Sequence, residues 1–234
     1  MLVHGAWCGA WCWEKVAAVL KTKGHRVEAI DLPGHGEKVD IQDVTLAAYC
    51  GVVVEAIDRA EGPVVLVGHS MGGVAITGAA EVRPERVLAA VYVTAFLLPS
   101  GKSIQDYSSL PENAGSLLQR AIGVSADKKF LTFDHSKARE TVFADCSEPD
   151  FQHALRMLGP QPLRPVGERG LWTPEKFGRV RKVYVKALQD RAIMPNLQAK
   201  MIQDTFVDKV EQLDSSHMPL LSMPEKLAEI LARA

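Results

Sequence analysis

Gly68-His69-Ser70-Met71-Gly72 is the stretch of this 234-residue chain best suited to covalent chemistry. It lies between the apolar run Val64-Val65-Leu66-Val67 and a helical pattern over 71–82. A sharp turn from strand to helix lifts a serine hydroxyl above the end of a sheet, and flanking glycines let the backbone fold that tightly. The five-residue spacing alone is weak, and a glycine-rich strand end is the plain alternative. Strand before and helix after make Ser70 a candidate nucleophile.

A serine hydroxyl attacks poorly at neutral pH, so it needs a base, and the base needs an acceptor to orient it. On an elbow of this kind the partners follow in the order acid, then histidine. Asp190 comes after the strand-like run 182–187, in Gln189-Asp190-Arg191, and His217 comes after the run 206–213, in Ser215-Ser216-His217. Both positions follow the carboxyl ends of strands, where open α/β sheets place their sites. His25, His35, His135 and His153 read as surface or structural residues. Asp204, Asp208 and Asp214 are the competing acids, and Asp214 is too near His217 in sequence to reach it from another strand end. Negative charge developing on a carbonyl oxygen also needs N–H donors. One is expected from Met71, and the second from the loop His4-Gly5-Ala6 after the first strand.

Short apolar runs alternate with helical periods, which predicts an α/β fold with a mainly parallel sheet flanked by helices. Strands are expected at 1–3, 26–30, 64–67, 87–93, 182–187 and 206–213. Helices are expected over 11–20, from an N-cap at Thr45 to 57, over 71–82 and 196–204, and from Pro224 to the end. The segment 99–178 breaks the rhythm. It has helical patterns at 117–122, 137–144 and 151–158, a proline-rich stretch at 159–165 and no evident strand. It is predicted to be a helical cap inserted into a core formed by 1–98 and 179–234. Its Tyr107, Phe130, Phe133, Phe151 and Trp172 suit either a pocket wall or the core of the cap.

Hydrophobic content of 47% and charged content of 24% are ordinary for a globular domain. A net charge of −1 gives no electrostatic reason to expect nucleic acid or an acidic membrane as partner. No apolar run is long enough to span a bilayer, and the first residues lack the pattern of a signal peptide, so a cytoplasmic location is the default expectation. Cys8, Cys12, Cys50 and Cys146 have no zinc-site spacing and are expected as free thiols. No metal or cofactor is called for, and a homodimer is the default for oligomeric state.

Val3-His4-Gly5-Ala6-Trp7, Gly68-His69-Ser70-Met71-Gly72-Gly73, Phe177-Gly178-Arg179-Val180, Asp190-Arg191-Ala192-Ile193-Met194-Pro195 and Ser216-His217-Met218-Pro219 resemble the plant methylesterase and hydroxynitrile lyase group. That group includes the salicylate methyl ester esterase and polyneuridine aldehyde esterase, with bacterial esterase relatives, and the similarity runs over nearly the whole chain. The resemblance implies an α/β-hydrolase fold with a helical cap over an apolar pocket. It also implies a triad of Ser70, Asp190 and His217, oxyanion N–H donors at Ala6 and Met71, and Gly5 and Met218 in the substrate pocket. Relatives usually carry several more residues before the first His-Gly, so it implies a short first strand here. In the lyases a threonine or asparagine stands at the position of Gly5, and one branch has a lysine at that of Met218. Both positions here match the esterase members. The expectation is therefore a cofactor-free serine carboxylesterase acting through an acyl-enzyme on small to medium esters with an apolar or aromatic portion. Its activity should rise as His217 loses a proton, near the reference histidine pKa of about 6.5. A hydroxynitrile lyase and a non-catalytic small-molecule binder are the alternatives.

Overall fold

A computed structural model describes residues 1–36 and 44–234. In chain order its elements are β1 (Leu2–Val3), α1 (Glu14–Thr22), β2 (Ala29–Ile30), α2 (Leu46–Arg59), β3 (Val64–His69), α3 (Gly72–Val82) and β4 (Val87–Val93). An insertion follows, with α4 (Ile104–Ser108), β5 (Ile122–Val124), β6 (Phe130–Phe133), α5 (Ala138–Thr141), α6 (Glu148–Met157), β7 (Gln161–Pro162) and α7 (Arg164–Gly167). The chain ends with β8 (Lys182–Ala187), α8 (Pro195–Asp204), β9 (Lys209–Leu213), α9 (Pro219–Ser222) and α10 (Pro224–Leu231).

Six of the strands form one parallel sheet in the order β2-β1-β3-β4-β8-β9. Successive strand residues point to opposite faces, and the sequence supplies apolar side chains to both. Leu66, Ala90, Tyr92 and Tyr184 join one core with α2, α3 and α8, whereas Val67, Val91, Val93, Val183 and Val185 join another with α1 and α10. Each fully buried valine or leucine contributes roughly 1.5–3 kcal/mol. Right-handed crossovers dictate which face each helix covers. The chain leaves β1 in one direction through α1 and returns past it through α2, so these two helices lie on opposite faces. The direction reverses between β1 and β3. Loops after those two strands part around a crevice at the carboxyl edge, where doubly wound sheets bind ligands.

Local signals set the helix limits. Thr45 Oγ1 accepts the Ala48 N–H at 3.0 Å and caps α2, and Pro224 opens α10. Two strands are shorter than their apolar runs. β2 begins only at Ala29; Arg26 and Glu28 before it form exposed ion pairs with Glu61 and Arg59. β9 begins at Lys209, where pairing with Val183 of β8 starts, and leaves Phe206 three-quarters exposed.

The insertion corrects one expectation, because it is not purely helical. β6 pairs antiparallel with both β5 and β7. These strands are two to four residues long, too short for alternation to register in the sequence. Their hairpin is fixed by the turn instead. Ser125 Oγ accepts the N–H groups of Lys129 and Phe130, both at 3.2 Å, with Lys128 at φ +58°. A bridge between Lys102 and Gly170 closes the neck of the insertion. Among the described residues no helix is long and apolar enough to cross a membrane.

Candidate active site

Ser70 sits between β3 and α3 with φ +51°, a left-handed conformation that residues with a side chain adopt at a cost of about 1–3 kcal/mol. Neighbouring backbone makes this turn possible only with glycine. A Cβ on Gly68 would lie 2.8 Å from Gly72 C, and a Cβ on Gly72 would lie 2.6 Å from His4 O. The elbow is tied to β4 by the Ser70 N–H donating to Val93 O at 3.3 Å and the Phe96 N–H donating to Ser70 O at 3.0 Å.

The structure brings Ser70, His217 and Asp190 together although they are far apart in sequence. His217 Nε2 lies 3.1 Å from Ser70 Oγ, and His217 Nδ1 lies 2.7 Å from Asp190 Oδ2. All three side chains are buried. A carboxylate at Nδ1 puts the imidazole proton there and leaves the Nε2 lone pair facing the serine hydroxyl. Asp190 is held in turn by the N–H groups of Ala192 and Ile193 on Oδ1, at 2.7 and 3.0 Å, and by the Thr94 hydroxyl on Oδ2. The competing acids lie elsewhere: Asp214 accepts from Gln189, and Asp204 accepts from Tyr107 and Lys200.

Ala6 and Met71 flank the serine. Among the described residues neither N–H meets a protein acceptor. His4 orients the first of them. The Leu32 N–H donates to His4 Nε2 at 3.0 Å, which leaves the proton on Nδ1 to donate to Gly5 O at 2.7 Å. Carbonyl and N–H point opposite ways across a trans peptide, so anchoring Gly5 O turns the Ala6 N–H to the other side. Burial drives the His4 pKa down to about 3, with the neighbouring His35 adding to the effect. Trp7, at φ +59°, then carries the loop to the insertion, donating its indole N–H to Leu131 O at 3.1 Å.

A narrow cavity of about 20 Å³ adjoins Ser70 and His217. Met218, Ala6, Trp7, Leu118, Phe133 and Phe143 are among its wall residues. Gly5 is not in that wall; it backs onto the elbow, where a Cβ would lie 2.8 Å from both Ser70 Cβ and His69 Nδ1. Of the five aromatic residues singled out in the insertion, Phe133 reaches this cavity. Phe151 packs on Phe143, and Tyr107 is buried with its hydroxyl on Asp204. Phe130 is half-buried in β6. Trp172 lines a larger cavity of about 390 Å³ between α2, α3 and the insertion, which contains none of the triad candidates. Among the described residues there is no group of three or more side chains placed to hold a metal.

Several further residues support the site through contacts that sequence spacing does not announce. His69 donates from Nε2 to His217 O at 2.9 Å, and burial, with a second imidazole close by, keeps its pKa well below the usual histidine range. Gln198, fully buried, accepts from Ala187 N at 3.0 Å and donates to Ile193 O at 2.8 Å, bracing both ends of the Asp190 turn. Asp145 of the insertion accepts the Ser216 N–H at 2.9 Å, beside His217. A polar residue directly after a fully apolar strand, as Thr94 follows 87–93, is the signal that was available.

Residues 1–230 match the sequence pattern of the Alpha/beta hydrolase family. The chain belongs to the alpha/beta hydrolase family. Within it, putative methylesterase 13, chloroplastic, of Arabidopsis thaliana is 32% identical over 242 residues, which cover 99% of this chain and 54% of that protein. Methylesterase 10 of the same plant is 31% identical over 246 residues, covering 99% of this chain and 89% of that one. The chain thus spans about half the length of the first of these curated relatives and most of the second. Among solved hydrolase structures, a pyrethroid hydrolase from Sphingobium faniae JZ-2 superposes with a TM-score of 0.90 at 30% identity, covering 99% of this chain and 94% of that one.

Proposed function

We propose that this protein is a serine carboxylesterase, with Ser70 as nucleophile, His217 as base and then acid, and Asp190 as the group that orients His217. The observation that carries the reading is the continuous hydrogen-bonded line Asp190–His217–Ser70 at 2.7 and 3.1 Å, beside two N–H groups that meet no acceptor among the described residues. As Oγ bonds to the ester carbonyl carbon, its proton passes to His217 Nε2 and the carbonyl electrons move to oxygen. The Ala6 and Met71 N–H groups receive that oxyanion. The tetrahedral intermediate collapses, the C–O bond to the alcohol breaks, and His217 protonates the leaving oxygen. Water, deprotonated by His217, then cleaves the acyl-enzyme and restores Ser70.

The segment 99–178 serves in this reading as a cap over the core of 1–98 and 179–234, since Leu118, Phe133, Val142, Phe143 and Leu158 close the cavity at Ser70. A volume of about 20 Å³ is roughly that of one water. An ester therefore enters by displacing these apolar side chains, which favours substrates with an apolar or aromatic portion. The names of the relatives, methylesterases and a pyrethroid hydrolase, agree with an ester as substrate class. Met218 puts a thioether where a cyanide-holding cation would stand, so esterase is favoured over cyanohydrin cleavage. The test is p-nitrophenyl acetate hydrolysis by the protein and by Ser70→Ala. Loss of turnover in the variant, with its melting temperature kept, is expected; undiminished turnover overturns the assignment.

A further inference from the structure

Thr94 stands out among residues that no motif marks. It follows β4 directly, is fully buried, and holds φ +38°. A β-branched side chain in the left-handed region is an outlier that persists only where its surroundings over-determine it. They do so here: the Thr94 N–H donates to Val185 O at 2.8 Å, while Val93 and Phe96 on either side are bonded to the Ser70 backbone. The strained backbone delivers one contact. The Thr94 hydroxyl donates to Asp190 Oδ2, the same oxygen that accepts from His217 Nδ1. A relaxed backbone at this position would swing the hydroxyl away from the carboxylate.

We infer that Thr94 is a positioning residue, whose hydroxyl fixes Asp190 Oδ2 so that His217 stays aligned on Ser70. The inference rests on the triad reading above and extends it to a residue on a third strand end. The hydroxyl also draws negative charge from Oδ2. Without it, the carboxylate holds the imidazolium form of His217 more strongly, and the acid limb of the activity profile moves to higher pH. The titratable groups close to the pair are His69, kept neutral by burial, Tyr184, whose hydroxyl donates to Ala95 O and whose pKa burial raises, and Asp145 of the insertion, whose carboxylate accepts the Ser216 N–H.

The experiment compares Ser70→Ala, Thr94→Val and Thr94→Ser with the unaltered protein on p-nitrophenyl acetate, recording kcat, KM, melting temperature and the pH profile. Thr94→Val keeps the shape and removes the hydroxyl. It is expected to lower kcat by about ten- to a hundred-fold, the scale of a hydrogen bond to a charged group, with KM within about three-fold. Its acid limb is expected about half a pH unit higher. Thr94→Ser keeps the hydroxyl and is expected to recover most of the loss. Wild-type kcat and an unmoved acid limb in Thr94→Val overturn the inference, as does a Thr94→Ser variant as impaired as Thr94→Val. Should Thr94→Val not fold, Thr94→Ser decides alone, since a ten-fold loss with the hydroxyl retained is incompatible with the proposed role. Full activity in Ser70→Ala would instead remove the triad reading itself, so the two failures are distinguishable.

Discussion

Acid should destabilise this protein through imidazoles locked in one protonation state, and His4 allows the size of the effect to be worked out. Its Nε2 accepts the Leu32 N–H and its Nδ1 proton is committed to Gly5 O, so a second proton would confront a donor. The folded-state pKa is about 3 against an ordinary 6.5. Well above pH 6.5 the imidazole is neutral in both states and contributes nothing to the pH dependence. Below it the unfolded chain binds a proton that the folded chain does not, and stability falls until the pH reaches the folded value. Linkage gives a loss of about 2 kcal/mol between roughly pH 7.5 and pH 5 from this residue alone. Urea unfolding at those two pH values, for the protein and for His4→Gln, isolates the effect. The variant lacks the imidazole, so its stability is expected to fall by about 2 kcal/mol less over the interval. An equal fall in both proteins refutes the reasoning, because it would mean that His4 titrates alike folded and unfolded.

The remaining expectations concern the site. Asp190→Asn must turn an NH2 group toward donors that now meet a carboxylate, and it loses the acceptor that fixes the His217 tautomer. A fall in kcat of about 10³–10⁴-fold is expected, and a loss under ten-fold in steady-state assays contradicts the assigned role. Gly5→Ala places a Cβ 2.8 Å from Ser70 Cβ and His69 Nδ1, so the elbow must shift. Ester turnover is expected to drop about ten-fold or more, as small displacements of reacting groups do; unchanged turnover shows that the elbow yields freely. Burial raises the thiols of Cys50 and Cys146 to about 12 and that of Cys12 above its usual range. Native protein treated with iodoacetamide at neutral pH is therefore expected to keep these three unmodified and its activity intact. Rapid alkylation of any of the three, seen by mass spectrometry, contradicts the packing described.

The core and the strand-to-helix elbow that carries Ser70 were legible because they depend on local signals. Two-sided burial makes Val64–Val67 uniformly apolar, and the elbow needs glycine at fixed offsets from Ser70. Asp190 and His217 were legible from chain order and resemblance, and the structure places them in line with Ser70. The β5–β6–β7 sheet was not, because its strands are held by a turn and by the long-range pairing of Phe130 with Pro162 and Leu131 with Gln161 rather than by any alternation of their own. Nor were His4, His69, Thr94 and Gln198. Each acts through a hydrogen bond to a backbone or side-chain partner that only tertiary contact reveals, and a single buried polar residue in an apolar run gives no partner's address. Gly5 shows the same limit from the other side: resemblance set it in the pocket, whereas its backbone packs behind the serine.

Labelling with a fluorophosphonate, followed by mass spectrometry of the digested protein, tests the central claim most directly. An activated serine Oγ attacks the phosphorus of such a probe, fluoride leaves to solvent, and a stable phosphonyl ester remains on the serine. One adduct per chain is expected, located at Ser70, formed in step with loss of ester hydrolysis and absent after denaturation. Ester hydrolysis that survives complete labelling of Ser70, or labelling at another residue that abolishes it, would contradict the account.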